Sequence, residues 1–255
     1  MVQMKLYWFL GILLLTLLSN PAARAESQNS LTTFQKANAA YREGRYSESA
    51  ALYESLVSKD WRNASVFYNL GNANFKQDRL GQAILYYEKA RRLNPRGREI
   101  VANLNYVRGL SEFRVEDKRN WYVKAGEALL RSFTAEELGI ASLVLSFLFL
   151  FLWALSLYRG GGGSWGWKRK TLFLATALCL SVWVSKGLYE KTMQGAVVLK
   201  NQAPVRYGPS YKDRVAFRLG EGMSVVVRKK EDGWNRVALV NGETGWMAEE
   251  DLGVI

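Results

Sequence analysis

Two stretches of the sequence, "AYREGRYSESAALYESLV" at residues 40–57 and "NFKQDRLGQAILYYEKAR" at residues 74–91, carry one pattern at an offset of 34 residues. A repeat of this length is typical of helix-turn-helix units that stack side by side. One unit alone cannot bury its apolar face, so we expect neighbouring units to share a core. An ordinary helical bundle is the alternative. The aligned pairs are Asn38 with Asn72, Tyr41 with Phe75, Arg45 with Arg79, Tyr46 with Leu80, Tyr53 with Tyr87 and Glu54 with Glu88.

The second copy resembles the tetratricopeptide (TPR) repeat. The residues that carry the resemblance are Phe67, Leu70, Gly71, Ala83, Tyr87, Ala90 and Pro95. The first copy departs from the pattern, with Ala37 for the glycine, Ser49 and Leu56 for alanines, and Trp61 for the proline. A third helix over residues 98–110 is predicted to cap the stack. The resemblance implies an all-α TPR domain over residues 30–110.

The first 25 residues have the pattern of a secretory signal peptide. Lys5 gives a basic start, residues 6–18 form a short apolar run, and Ala23 and Ala25 give a small-x-small ending. We expect cleavage after Ala25, with an uncleaved anchor helix as the alternative. In either case the residues that follow are predicted to be exported.

Residues 111–137 are predicted to form a linker with an amphipathic helix over residues 121–133. This helix could lie at a membrane surface, with Trp121 and Tyr122 near the headgroups, or pack on the repeats. Both alternatives are open at this point. Thr134 and Glu137 have the spacing of a capping box, which predicts that a new helix starts there.

Two apolar runs predict a membrane hairpin, with transmembrane helices over residues 138–158 and 171–189. The first contains 20 uncharged residues, 139–158, enough to span a hydrocarbon core of about 30 Å. The second reaches that length only by including Lys186 near its far end. The intervening loop, residues 159–170, holds Arg159, Lys168, Arg169 and Lys170 and no acidic residue, which predicts that it is cytoplasmic. Trp167 occupies the lysine position of a Walker phosphate loop, so that interpretation fails.

Residues 195–255 change to short β-branched runs separated by turn signals, among them Asp232-Gly233 and Asn241-Gly242. This pattern predicts a small all-β barrel. The residues resemble a bacterial SH3 (SH3b) domain at Val205, Arg206, Gly208, Pro209, Ser210, Gly222, Gly233, Trp234, Val237, Gly245 and Trp246. The fold class expected for the whole chain is therefore multidomain: TPR helical repeats, an α-helical transmembrane hairpin and a small SH3-like barrel.

The composition argues against catalysis. The chain has no histidine, and its single cysteine, Cys179, lies in an apolar run where a thiol is a poor nucleophile. No convergent carboxylate pair or Ser/Lys centre is recognisable, so we expect no enzyme, no cofactor and no metal site. The net charge is +12, but the excess is spread thinly and is densest beside the apolar runs. This distribution is typical of membrane topology rather than of nucleic-acid binding.

The whole order of domains resembles the TPR proteins of Bacteroides aerotolerance (Bat) operons, the BatE-like family. The resemblance implies a non-catalytic scaffold in the bacterial inner membrane, with TPR and SH3b domains in the periplasm. The implied partners are von Willebrand factor A (VWA) membrane proteins and a MoxR-type ATPase, in an envelope complex tied to stress tolerance. The alternative function is a peptidoglycan-binding cell-wall sensor that acts through the SH3b domain.

Candidate binding residues follow from the two domain types. Asparagine can donate to and accept from an extended peptide backbone, and the TPR concave face is predicted to present Asn38, Tyr68, Asn69, Asn72, Asn103 and Tyr106. Phe34, Glu99 and Asn103 stand where a carboxylate clamp has basic residues, which argues against such a clamp. An aromatic groove on the SH3b domain is predicted from Tyr207, Tyr211, Trp234 and Trp246, with burial of the two tryptophans in the barrel core as the alternative.

Overall fold

The computed structural model describes residues 21–110, 119–158, 165–192 and 194–255. Most of the predicted signal peptide and parts of the two predicted loops lie outside these residues. The helices in the described ranges are α1 (Pro21–Arg42), α2 (Tyr46–Ser58), α3 (Ala64–Phe75), α4 (Leu80–Leu93), α5 (Arg98–Leu110), α6 (Trp121–Arg131), α7 (Ala135–Tyr158) and α8 (Trp165–Thr192).

Helices α1 to α5 form the repeat stack, and the two copies are built alike. Each pair of helices turns through one residue with a left-handed backbone: Gly44 has φ of 79° and Asp78, 34 positions later, has φ of 58°. A Cβ atom on Gly71 would lie 2.7 Å from the Tyr87 ring. The TPR pattern therefore has glycine at this position because the aromatic ring of the next helix packs directly on its backbone. The predicted stacked repeats are confirmed.

Helices α7 and α8 form an antiparallel hairpin. Ser142 Oγ lies 3.3 Å from Cys179 Sγ, and the rings of Phe149 and Phe173 are 5.6 Å apart. Most of their apolar side chains are exposed, and both helices are long and apolar enough to cross a membrane. The predicted capping box starts α7: Thr134 N–H donates to Glu137 Oε2 at 2.9 Å, and Glu137 N–H donates to Thr134 Oγ1 at 3.1 Å.

Helix α8 is longer than the predicted second span. It begins at Trp165, so residues 165–170 of the predicted loop are helical. No proline interrupts this stretch, and its Lys and Arg residues are good helix formers. The C-terminal end of helix α6 and the residues just after it contact α8. Lys186 Nζ of α8 donates to Leu130 O at 2.8 Å and to Phe133 O at 2.6 Å.

The C-terminal residues form one antiparallel sheet in the order β3-β2-β6-β5-β4-β1-β7. Its strands are β1 (Gln194–Val198), β2 (Ala203–Arg206), β3 (Val215–Leu219), β4 (Ser224–Glu231), β5 (Trp234–Ala238), β6 (Thr244–Ala248) and β7 (Leu252–Val254). The predicted Asp232-Gly233 turn joins β4 to β5, with positive φ at both residues. Apolar side chains fill the sheet's core, including Val205, Val225, Val237 and Met247.

Candidate functional site

The asparagines predicted to line the concave face are hydrogen-bonded in pairs and to three tyrosines. Asn38 Oδ1 accepts from the Tyr53 hydroxyl at 2.6 Å and from Asn69 Nδ2 at 3.0 Å. These bonds tie α1 to α2 and to α3. Asn38 and Asn69 are half-buried, and Tyr53 is fully buried.

The second repeat reproduces this arrangement 34 residues later. Asn72 Oδ1 accepts from the Tyr87 hydroxyl at 2.6 Å and from Asn103 Nδ2 at 3.1 Å. Asn103 Nδ2 also lies 3.0 Å from the Tyr68 hydroxyl. We call Asn38, Asn69, Asn72 and Asn103, together with Tyr53 and Tyr87, the asparagine ladder.

The ladder has consequences for both stability and binding. Burial raises the pKa of the Tyr53 and Tyr87 phenols, so both keep the proton that they donate. The recorded bonds engage one polar atom of each amide. Within the described part of the chain, no hydrogen bond engages the opposite atoms, such as Asn38 Nδ2 and Asn72 Nδ2.

Tyr53 and Tyr87 are site residues that the sequence reasoning missed. The sequence signal that could have identified them is their alignment at the 34-residue offset, the same offset at which Asn38 and Asn72 align. Tyr106, in contrast, is 62% exposed and lies beside Phe75, with ring centroids 5.9 Å apart. It is the member of the predicted concave-face set that is most open to a ligand. Phe34 packs on Tyr53 and Trp61 and so has a core role.

The four predicted aromatic residues of the SH3b domain do not form one continuous groove. Tyr211 packs edge-on over Trp234 with ring centroids 4.9 Å apart, and its hydroxyl lies 3.3 Å from Glu250 Oε1. The Arg206 guanidinium lies 5.9 Å from the Tyr211 ring. The backbone of Arg206 pairs with that of Trp246 in the sheet. Tyr207 is strongly exposed on the same turn, and no ring contact joins it to the other three among the described residues.

Neither tryptophan belongs to the barrel's core cluster, although Trp234 is only 8% exposed. Sheet register explains this difference. Trp234 pairs with Ala248 and Arg236 pairs with Trp246, so these side chains share the face opposite Val237 and Met247. Tyr211 covers Trp234 from outside. An aromatic patch of Tyr211, Trp234 and Trp246 therefore lies on the outer face of the sheet.

The TPR and SH3b domains pack directly on each other. The Gly81 N–H donates to Glu221 Oε1 at 2.6 Å, and a Cβ atom on Gly253 would lie 2.4 Å from Leu85 Cδ2. Leu85 and Val197 belong to one buried apolar cluster, against which Leu199 and Ile255 also pack. This contact joins α4 to β1 and β7, and no pattern in the sequence predicted it.

The described residues contain no group of three or more cysteine, aspartate or glutamate side chains placed to hold a metal. The described surfaces present amide groups on the helical repeats, aromatic rings on the sheet and charged side chains between them.

Two family models match the chain. Residues 34–98 match the tetratricopeptide repeat, and residues 199–253 match the bacterial SH3 domain. Among solved structures, the chain is similar to the crystal structure of MamA protein, at 17% sequence identity and a TM-score of 0.31, over 66% of this chain and 78% of that chain. A search of curated proteins finds no match.

The two family matches and the structure confirm the predicted fold class: helical TPR repeats, an antiparallel SH3b sheet and two candidate transmembrane helices. Both families are non-catalytic interaction domains. Their presence in one chain supports a role in protein interaction or as a scaffold.

Proposed function

We propose that this protein is a membrane-anchored scaffold that holds two binding surfaces in a fixed relation on one side of a membrane. The observation that carries the proposal is the contact between α4 and the SH3b sheet, where Gly81 meets Glu221 and Leu85 meets Gly253. Domains that touch must lie on the same side of the bilayer. The two apolar helices connect them in sequence, so both helices cross and return.

The two surfaces have different chemistry. The asparagine ladder and Tyr106 offer amide and phenol groups to an extended peptide. The aromatic patch offers ring faces with the Arg206 guanidinium beside them. A scaffold of this kind gathers one partner on each surface without changing either chemically.

The finer assignment is a place in a Bat-type envelope complex in the bacterial inner membrane, with both domains in the periplasm. The basic loop at 159–170 supports this orientation through the positive-inside rule. VWA-domain membrane proteins would then bind on the periplasmic side. A MoxR-type ATPase would join the complex through them, and the complex would serve stress tolerance.

A pull-down of the full-length protein from its native membranes in mild detergent tests this function. We expect VWA proteins and the ATPase to be recovered with the wild type and to be reduced by Tyr106→Ala, which removes an exposed ring from the concave face. Lys36→Ala changes an exposed residue of α1 and is the matched control. Absence of both partners from the wild-type sample would refute the Bat assignment.

The aromatic patch favours a second candidate function, peptidoglycan binding. The exposed Tyr211 ring with the Arg206 guanidinium beside it suits the apolar faces and acidic groups of wall polymers. Co-sedimentation with purified wall material tests it. Under this alternative, Tyr211→Ala lowers the bound fraction and Tyr106→Ala leaves it unchanged; equal binding by the wild type and Tyr211→Ala argues against it.

A further inference from the structure

A cavity of about 520 Å³ lies where the repeats, helix α6, the C-terminal end of α8 and the SH3b sheet meet. We call it the basic cavity, because seven of its lining side chains are Lys or Arg and three are Glu. None of the predicted binding residues lines it. Its charge is organised around the three glutamates, each of which holds two cations.

Glu88 is the most buried of the three glutamates, at 3% exposure. Its carboxylate lies 2.6 Å from Arg91 Nη2 and forms a second ion pair with Arg108 of α5. Burial raises the pKa of the Glu88 carboxyl, but the two guanidinium groups outweigh burial and hold that pKa below its usual value. Glu88 is therefore ionised in the folded protein at neutral pH.

Glu127 and Glu190 repeat this two-to-one arrangement. Glu127 of α6 pairs with Arg119 at 3.0 Å and with Arg131. Glu190 of α8 lies 3.2 Å from Arg92 Nη2 and 3.5 Å from Lys186 Nζ. Tyr189 also reaches Glu127, with its hydroxyl 3.2 Å from Oε1.

These pairs leave the cavity with an excess of positive charge. Six cations share three carboxylates, and Arg228 of the SH3b domain is a seventh cation in the lining, so the lining side chains carry a net charge of +4. Positive charge concentrated between low-dielectric walls attracts an anion more strongly than the same charge spread over an open surface. Guanidinium groups in particular match the oxygens of phosphate.

The opposite wall is apolar and comes mainly from the sheet. Val225, Val226, Leu239 and Ile255 line it, and Phe133 lies at the end nearest the hairpin. Phe133 O and Leu130 O both accept from Lys186, which is 6% exposed and belongs to the second apolar helix. The cavity thus lies at the end of the membrane hairpin, where lipid headgroups would reach it.

We propose that the basic cavity binds the phosphate group of an anionic amphiphile, and that its source is the headgroup of an anionic phospholipid. The basic wall suits the phosphate, and the apolar wall suits the glycerol and first acyl carbons. A free phosphate would satisfy only the first wall. This inference rests on the proposed insertion of α7 and α8 in a membrane.

The test uses the full-length protein in nanodiscs of neutral phosphatidylcholine, with and without phosphatidylglycerol. Native mass spectrometry measures retained lipid. The variant Arg92→Gln with Arg131→Gln removes two partly exposed cations, while Lys186 still pairs with Glu190 and Arg119 with Glu127. We expect roughly tenfold weaker retention of phosphatidylglycerol. The matched control, Lys36→Gln with Arg42→Gln, makes the same charge change on exposed positions of α1 and should retain lipid like the wild type.

A second variant moves binding in the opposite direction. Glu127→Gln removes a negative charge from the lining and keeps an oxygen for Tyr189, so we expect stronger retention of phosphatidylglycerol. Titration of inorganic phosphate into neutral nanodiscs distinguishes the source. Saturable binding that the double variant weakens would support the phosphate site but assign it to a soluble ligand.

Equal retention of phosphatidylglycerol by the wild type and both cavity variants, with no phosphate binding, would overturn the inference. Extraction of native membranes at alkaline pH separates this result from failure of the proposed function. A protein released by alkali is not integral, and the scaffold proposal then fails as well. If the protein stays in the membrane but shows no phosphate binding and no lipid preference, only lipid binding by the basic cavity is refuted, and the scaffold proposal stands.

Discussion

The backbone N–H of Gly81 donates a hydrogen bond of 2.6 Å to Glu221 Oε1, and this bond joins two domains across 140 positions of sequence. Gly81 lies in the first turn of α4, where N–H groups have no partner within the helix. Glu221 therefore supplies an acceptor from the SH3b domain to the end of a TPR helix. The carboxylate also interacts favourably with the positive end of the helix dipole.

The close approach at Gly81 predicts that Gly81→Ala separates or strains the two domains. A Cβ atom there would lie 2.7 Å from the backbone oxygen of Val198, which cannot move as a side chain can. Alanine favours a helix more than glycine does, so any loss of stability comes from this clash. We expect a loss of about 1–3 kcal/mol, seen as a lower melting temperature by calorimetry of the full-length protein in detergent.

Gly109→Ala is the control for this substitution. Gly109 is also helical, and a Cβ atom there would meet nothing within 4 Å. It should melt at or above the wild-type temperature. If Gly81→Ala and Gly109→Ala melt alike, the two domains do not pack as described.

The asparagine ladder predicts that Tyr87→Phe destabilises the repeats without changing their packing. The substitution removes only the hydroxyl that donates to Asn72 at 2.6 Å, while Asn72 keeps its bond from Asn103. The expected loss is about 1 kcal/mol, measured as a shift in the urea midpoint. Tyr106→Phe removes an exposed hydroxyl and should shift nothing. A shift of equal size for both would contradict a specific role for the ladder.

The Glu88 cluster predicts a pH dependence of stability. Arg91, Arg108 and, at longer range, Arg131 face Glu88 and lower the pKa of its carboxyl in the folded protein, against the opposing effect of burial. A carboxyl with a lowered folded-state pKa stabilises the protein above its unfolded-state pKa, roughly 4.3. That contribution is lost as the pH falls below this value towards the folded-state pKa.

Glu88→Gln isolates this effect. At neutral pH we expect the variant to be less stable by about 2 kcal/mol, because hydrogen bonds to a charged acceptor are replaced by bonds to an amide. The difference in melting temperature between wild type and variant should shrink as the pH is lowered from about 6 to about 3. A difference that is constant over this range would show that the Glu88 charge does not stabilise the fold.

The SH3b domain contains a buried amide whose replacement should stabilise it. Asn235 is 1% exposed, and in the described residues neither its Nδ2 nor its Oδ1 has a hydrogen-bond partner. A buried polar group without a partner costs about 1–3 kcal/mol. Asn235→Leu removes that cost with a side chain of the same branching and the same number of heavy atoms, so the melting temperature should rise. Asn235→Asp buries a charge instead and should lower the melting temperature; a lower melting temperature for Asn235→Leu would contradict the expected gain.

The repeats and the barrel could be predicted because their signals are local. The 34-residue offset, the Asp232-Gly233 turn and the Thr134–Glu137 capping box each act over a few tens of residues or fewer. The asparagines could be placed on one face, but their bonds to Tyr53 and Tyr87 depend on how the helices cross.

The domain interface and the basic cavity could not be predicted in this way. Gly81 and Glu221 lie far apart in the sequence and belong to no shared pattern. Glu88, Glu127 and Glu190 come from three different helices, and only the folded chain brings their cations together. The burial of Trp234 could not be predicted from strand alternation either. Alternation places Trp234 on the outer face of the sheet, but Tyr211, which lies outside the strands, covers it.

The packed domains also predict a membrane topology that can be measured. In a Cys179→Ser background, Lys36→Cys places one thiol on the repeats and Lys212→Cys places another on the SH3b domain, both at exposed positions. Because the domains touch, both thiols should lie on the same side of the membrane. In the proposed periplasmic orientation, a membrane-impermeant maleimide should label both in intact spheroplasts. Lys168→Cys, in the predicted cytoplasmic loop, should be labelled only after lysis. Labelling of one domain but not the other would contradict both the interface and the hairpin, since two crossings and a shared interface require the same side for each.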